Sequence, residues 1–289
     1  MDYEKFGFSR GEFRIVEEMR RIVDALAPTF RYWMQTEVHV YAFSVAANVL
    51  LSFYPFLIVM ISLARRVFDK DTTIAAIQLA LSDYFPDSFT SFLYTKGKHE
   101  NLPFQPVEIV SVILLLFTAN GVFEPLEVAL NRVWGIKQNR SFVRNQMVSL
   151  GLIFACGALA LGSMMLTALN QSTVKGWAAS FIPALFFKLA AMPMAALMLF
   201  LIYYFLPNGR PPVRRVIAAA IGVGLLLEAL KYINRLVWPW FQKKLESEYH
   251  IFQYSVALIF LGFLASMLVL AGAEWAARGH RYYEVKKNA

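Results

Sequence analysis

The stretch Phe104–Gly135, FQPVEIVSVILLLFTANGVFEPLEVALNRVWG, limits what this chain can become. Its first half is an apolar run, Val107–Ala119, interrupted only by Glu108, Ser111 and Thr118. A run of about 13 residues rising ~1.5 Å each falls short of ~30 Å of hydrocarbon. To cross a bilayer, the segment must take polar residues into the membrane or to its boundary. Asn120, Glu124, Glu127 and Asn131 recur at helical steps and line one face, with Arg132 beside them. Such a stripe has to face protein or water rather than lipid, so the other segments must be arranged around it. Asn120-Gly121 followed by Pro125 predicts a kink or break between residues 119 and 125, with Trp134 at the membrane boundary.

Composition places the rest of the chain in the same environment. Of 289 residues, 58% are hydrophobic and 17% charged, with a mean hydropathy of +0.48. A soluble domain carries about 25% charged and 45–50% apolar residues. The predicted fold class is therefore all-α: a polytopic membrane protein with a six-transmembrane-helix bundle, an N-terminal amphipathic helix and a helical outer loop. Spans are expected at about 40–64, 106–134, 146–170, 179–206, 213–239 and 251–277. Residues 1–39 form the N-terminal region, 40–277 the membrane domain and 278–289 a basic tail. No signal peptide precedes the first apolar run.

In the N-terminal region, Phe13, Val16, Met19, Val23 and Leu26 recur at steps of three and four. They predict an amphipathic helix ending before Pro28, on the inner membrane surface or packed on the bundle. The first outer loop, about 65–105, reads as a helical hairpin: Asp71–Phe85 has Ile74, Ile77 and Leu81 on one face, Pro86 ends it, and a second short helix reaches Tyr94. Pro55, Pro183 and Pro193 lie inside spans and are expected to bend them. Small residues at Gly151, Ala155, Ala158 and Gly162, and at Ala218, Ala220, Gly222 and Gly224, suit close helix approach.

The net charge of +8 would suggest nucleic acid in a soluble protein, but here it follows loop topology. Lys5, Arg10, Arg14, Arg20, Arg21, Arg31, Arg132, Lys137, Arg140, Arg144, Arg210, Arg214, Arg215 and the tail's Arg278, Arg281, Lys286 and Lys287 share one side. They outnumber Arg65, Arg66, Lys70, Lys96, Lys98, Lys175, Lys243 and Lys244 on the other. Both termini are therefore expected in the cytoplasm. All six tryptophans fall at expected membrane boundaries, where aromatic belts sit. No nucleic-acid partner is expected.

Nothing in the chain groups into a catalytic or metal site. His39, His99, His250 and His280 are scattered, Cys156 is alone, and no P-loop or nucleophile-elbow motif occurs. No catalytic residue, cofactor or metal is expected, and the chain is not read as an enzyme.

The candidate site residues are the polar groups within spans. On one side these are Glu124, Glu127, Asn131, Arg132 and Glu274, with Asn48 and Ser52 continuing a stripe from Ser44 along the first span. Deeper, Lys188 and Glu228 are expected near the midplane, with Lys231, Asn234 and Arg235 leading to the outer face. An unpaired charge there would cost several kcal/mol, so Glu228 should pair with Lys188, Lys231 or both. The outer cluster could take an anionic group such as a lipid phosphate, or could be a register-fixing ion pair with snorkelling side chains. The stripes could line a polar cavity or be satisfied within a packed core.

Four motifs carry a family resemblance: Ala46-Ala47-Asn48-Val49-Leu50-Leu51-Ser52-Phe53-Tyr54-Pro55; Leu126-Glu127-Val128-Ala129-Leu130-Asn131-Arg132-Val133-Trp134-Gly135; Leu206-Pro207-Asn208 with Glu228-Ala229-Leu230-Lys231; and Gly272-Ala273-Glu274. In these the chain resembles the YihY/BrkB family of bacterial inner-membrane proteins. Pro125 departs from it, standing where a small residue is more usual, as does the stretch Tyr249–Ser255. The resemblance implies six spans with cytoplasmic ends and membrane lipids as partners. It also implies an envelope-lipid or lipopolysaccharide-type substrate, since some members are linked to such export. The family's older ribonuclease label finds no support in these residues. The resulting expectation is a protein that transports or flips an amphipathic anionic lipid or envelope precursor. The alternatives are a non-transporting scaffold and, remotely, a nuclease.

The Glu228 pairing is open to a double-mutant cycle. Glu228→Gln and Lys188→Met, singly and together, should show coupled losses of thermal stability if the two groups meet, and additive losses if they do not.

Overall fold

In a computed structural model of the protein, the described residues are 10–64, 106–137, 140–174 and 181–288. Seven α-helices occupy them: α1 Arg10–Trp33, α2 Thr36–Ala64, α3 Pro106–Trp134, α4 Phe142–Val174, α5 Phe181–Phe205, α6 Val213–Tyr249 and α7 Gln253–Asn288. A single 3-10 turn, His250–Phe252, joins the last two. The expected outer loop at about 65–105 lies outside the described residues, as do the side chains of Asn120 and Lys188. Among the described residues, four stretches are long and apolar enough to cross a membrane: Thr36–Val59, Val143–Ala160, Val213–Tyr249 and Gln253–Arg278. Met192–Phe205 is a shorter apolar piece of α5.

The six long helices pack in sequence order. α2 lies on α3, α3 on α4, α4 on α5, α5 on α6 and α6 on α7; α7 returns to α2 and also touches α3, while α1 rests on α7 and α2. From α3 onward, helices neighbouring in sequence are joined by short connections, which favours packing side by side. The larger core cluster joins Val38 and Ala42 of α2, Leu126 and Leu130 of α3, Leu199 of α5 and Leu206 just after it, Val216 and Val223 of α6 and Leu270 of α7. A smaller one at the other end joins Leu57, Trp238, Leu245, Ala257 and Leu261. Large apolar side chains elsewhere on the helices, such as Phe43, Ile113, Phe117, Phe154 and Leu236, are exposed, as a lipid-facing surface requires.

Several expectations are corrected. α1 does not stop before Pro28 but runs through it to Trp33. The bond that Pro28 cannot make would reach the carbonyl of Asp24, an exposed residue that water can serve. α3 has no break between 119 and 125: it is one helix of 29 residues with Pro125 inside it. Buried Phe123, Leu126, Ala129 and Leu130 hold that region against its neighbours, and such packing outweighs one lost hydrogen bond. Pro183 is the third residue of α5, in the first turn where a missing N–H costs nothing. α6 passes its expected end near residue 239 and continues to Tyr249 with Pro239 inside. At 37 residues it is roughly 55 Å long, beyond the hydrocarbon thickness. Trp238 is not a belt residue: it is 2% exposed and packs in the smaller core cluster.

Close helix approach occurs at particular glycines. A Cβ on Gly121 would sit 2.0 Å from Asn48 Oδ1, and one on Gly262 would sit 3.4 Å from Ala46 Cα and Cβ. Phe43 and Phe263 pack with tilted rings beside that second crossing, centroids 4.3 Å apart. A Cβ on Gly272 would meet Val223 Cγ2 at 2.1 Å and the Tyr203 hydroxyl at 3.0 Å. Gly151 and Gly222 have nothing within 4 Å, so those two expected small-residue contacts do not form among the described residues. Gly272→Ala should therefore lower stability by about 1–3 kcal/mol, the range for overpacking against a stiff β-branched neighbour. Gly222→Ala should change it little, and thermal unfolding in detergent separates the two.

A candidate anion cleft at the basic end of the bundle

The local sequence shapes the end of the bundle where α3 and α5 stop and α4 and α6 start. Gly135, with φ of 69°, ends α3. Its N–H donates to the Arg132 carbonyl at 3.1 Å, and Ile136 N–H donates to the Asn131 carbonyl at 2.8 Å. This paired closure needs a left-handed residue, which glycine supplies without strain. α5 ends at Phe205 and Pro207 prevents its continuation. The turn after it packs down on the chain leaving α3, where Gly209 leaves room for Ile136.

Two side chains lock these ends together. Arg140 donates from Nη1 to the Leu206 carbonyl at 3.3 Å, and from Nη2 to those of Phe205 at 3.1 Å and Pro207 at 2.5 Å. Those carbonyls have no acceptor role left within α5, so the guanidinium serves the negative end of that helix. Burial lowers the Arg140 pKa from its ordinary value; nearby Glu127 opposes the shift and Arg144 adds to it. Asn131 works on the same turn from α3: its Oδ1 accepts the Asn208 backbone N–H at 2.7 Å, and its Nδ2 reaches Glu127 Oε1 at 3.4 Å. Glu127 is buried, and its Oε2 has no hydrogen-bond partner among the described residues.

Beside this lock opens a cleft of about 660 Å³, lined by Arg140, Arg144 and Arg210 together with Tyr204, Phe205 and Asn208. Ser141, also in the wall, stands at the start of α4, where Asn145 N–H donates to its carbonyl at 3.0 Å. The cleft thus presents three guanidinium groups, the amide end of a long helix and two aromatic walls.

Two further contacts join the same end. Glu37 at the start of α2 pairs with Arg132 at the end of α3, both exposed. Thr29 of α1 donates to Glu274 Oε2 at 2.6 Å and accepts from Arg278 Nη2 at 2.8 Å, while Arg278 Nε lies 3.8 Å from Glu274 Oε1. α1 is thereby fastened to α7. Tyr32 beside this clasp has its phenol pKa raised, first by burial and then by Glu274.

The structure brings together some of the residues singled out in the sequence and separates others. Glu127 and Asn131 meet, and Arg132 and Glu274 join the same end of the bundle. Glu124 is exposed, so it does not share the buried face of Glu127 and Asn131. Asn48 and Ser52 are satisfied by their own helix: Asn48 Nδ2 donates to the Ser44 carbonyl at 2.9 Å, and Ser52 Oγ to that of Asn48 at 2.8 Å. Glu228 pairs with Lys231, one turn along α6. Its expected partner Lys188 and the stripe residue Asn120 have side chains outside the described residues. Asn234 is buried and Arg235 exposed.

Thr29, Glu37, Arg140, Arg144, Arg210 and Arg278 were not singled out as site residues. Arg140, Arg144 and Arg210 entered only as topology charges, and the one available signal was their position flanking the Asn131 and Leu206-Pro207-Asn208 motifs.

A family model described as "Virulence factor BrkB" matches residues 29–289. No curated protein and no solved structure matches the chain.

Arg140→Ala should destabilise the detergent-solubilised protein by about 2 kcal/mol, since hydrogen bonds to charged groups are worth ~1.5–3 kcal/mol. Arg140→Lys should restore only part of this, because one ammonium cannot reproduce a planar fork spanning several carbonyls. Equal melting temperatures for wild type and Arg140→Ala would show that the lock carries no stability.

Proposed function

The chain belongs to the virulence factor BrkB family, and from that premise we propose that it moves or flips an amphipathic anionic substrate, a lipid or envelope precursor, across the bacterial inner membrane. On this reading it has six spans with both termini in the cytoplasm, and hydrolyses no nucleotide or other substrate itself. The carrying observation is the cleft, in which arginine side chains and the aromatic walls Tyr204 and Phe205 meet at the end of an apolar bundle. An amphiphile needs both features: cations for its headgroup and apolar surface beside them for its tails. A lipopolysaccharide-type precursor is the envelope substrate that the family resemblance suggests.

A second reading, a non-transporting scaffold, is favoured by the packing of the α2 stripe. Asn48 and Ser52 bond back to their own helix, and Gly121 closes onto Asn48. Those polar groups form a seam between α2 and α3.

The two readings part in reconstituted liposomes. Labelled phosphatidylglycerol in proteoliposomes should become accessible to an external quencher faster than in protein-free vesicles. Absence of translocation across a broad panel of anionic lipids and envelope precursors would remove transport and leave the scaffold.

A further inference from the structure

We propose that the cleft at the basic end recognises a phosphate group, held between Arg144 and Arg210. This rests on the reading of the chain as a protein that handles an anionic amphiphile, and names the group it grips.

The three arginines of the cleft are not equivalent. Arg140 is committed to the carbonyls of Phe205, Leu206 and Pro207. It thereby neutralises the negative end of α5, which would otherwise repel an anion from that wall. Arg144 and Arg210 come from different elements, the first turn of α4 and the turn after α5, and both are exposed. Each can swing a five-donor fork into the cleft from its own side. Donors converging from two sides suit a tetrahedral, multiply charged oxyanion, and guanidinium forks bind phosphate bidentately.

The backbone adds to this polarity. Ser141 lines the cleft where α4 begins, and the first amides of that helix have no acceptor within it. The start of a helix of 33 residues presents partial positive charge to the same space. Like charge also gathers here: Arg140, Arg144 and Arg210 all line the cleft, and an anion between its walls relieves their mutual repulsion.

Size and lining distinguish the sources of the phosphate. At about 660 Å³ the cleft lies in the range of small-molecule sites, and a bare phosphate would leave most of it empty. Tyr204 and Phe205 supply apolar wall, and Phe205 is 48% exposed. A phosphate carried on a lipid fills both parts.

The test is binding to the full-length protein in neutral detergent, read by ligand-dependent melting temperature and native mass spectrometry. The probes are dioctanoyl phosphatidic acid, dioctanoyl phosphatidylcholine and inorganic phosphate. Dioctanoyl phosphatidic acid should bind wild type at least tenfold more tightly than the Arg144→Ala/Arg210→Ala variant. The Arg144→Lys/Arg210→Lys variant should recover a substantial part of that affinity, and both variants should melt like wild type without ligand. Phosphatidylcholine, whose phosphate is masked by choline, should bind weakly and equally to all. Inorganic phosphate binding that needs both arginines, with no added affinity from acyl chains, would support the phosphate site and assign it to a soluble source. Equal binding of phosphatidic acid by wild type and the alanine variant, or no phosphate-dependent binding to wild type, would overturn the proposal. Arginine-dependent binding without lipid translocation in liposomes removes transport alone, whereas translocation with arginine-independent binding removes this site alone.

Discussion

How the last turn of α5 is finished governs the arrangement of the basic end. A helix leaves four carbonyls without partners at its C-terminus. Here Pro207 ends the helix, Arg140 takes the carbonyls of Phe205, Leu206 and Pro207, and Asn131 takes the amide of Asn208. Two connections are fixed by this exchange: the one that leaves α3 and enters α4, and the turn leading to α6. The cleft exists because these connections are held open beside the lock instead of collapsing onto it.

The same accounting explains the polar residues along the bundle. Hydrocarbon offers no hydrogen bonds, so a polar side chain at depth is best served by a partner within the protein. Thr118, Ser52 and Ser266 donate to carbonyls one turn back in their own helices, and Tyr203 crosses to the Val269 carbonyl on α7 at 2.7 Å. Charged groups follow the rule less locally. Glu274 is reached by Thr29 and Arg278, so a carboxylate near the end of α7 becomes the anchor for α1. Polar groups thus fasten elements at the end of the bundle, while along its length Thr118, Ser52 and Ser266 stay within their own helices and Tyr203 crosses between two.

Much of the architecture was legible in the residues. Long apolar stretches between loops rich in arginine specify membrane helices, and the Leu126–Gly135 motif marks a helix that ends at a glycine, as Gly135 does. Prolines misled where position mattered. Pro28 and Pro125 sit within continuous helices, because the cost of one missing bond is local whereas the packing that holds a helix is summed over its whole face. Tryptophan misled at Trp238, whose ring is as suited to a core as to an interface. The polar stripe of α3 was legible as a periodicity, but which of its members would be buried was not: Glu127 and Asn131 are, and Glu124 is exposed.

The motifs carried the family, while composition and periodicity by themselves determined a helical membrane protein and the approximate helix positions. These properties depend on each residue's preference for hydrocarbon or water, which is carried locally. Only the tertiary structure decided that Arg140 serves α5, that Thr29 meets Glu274 across 245 positions of chain, and that Arg144 and Arg210 face one cleft. An arginine in a loop has the same signature in sequence whether it marks topology, caps a helix or waits for an anion. Its role is set by which helix ends are brought within reach of its fork, and that follows from the ring in which the six long helices pack.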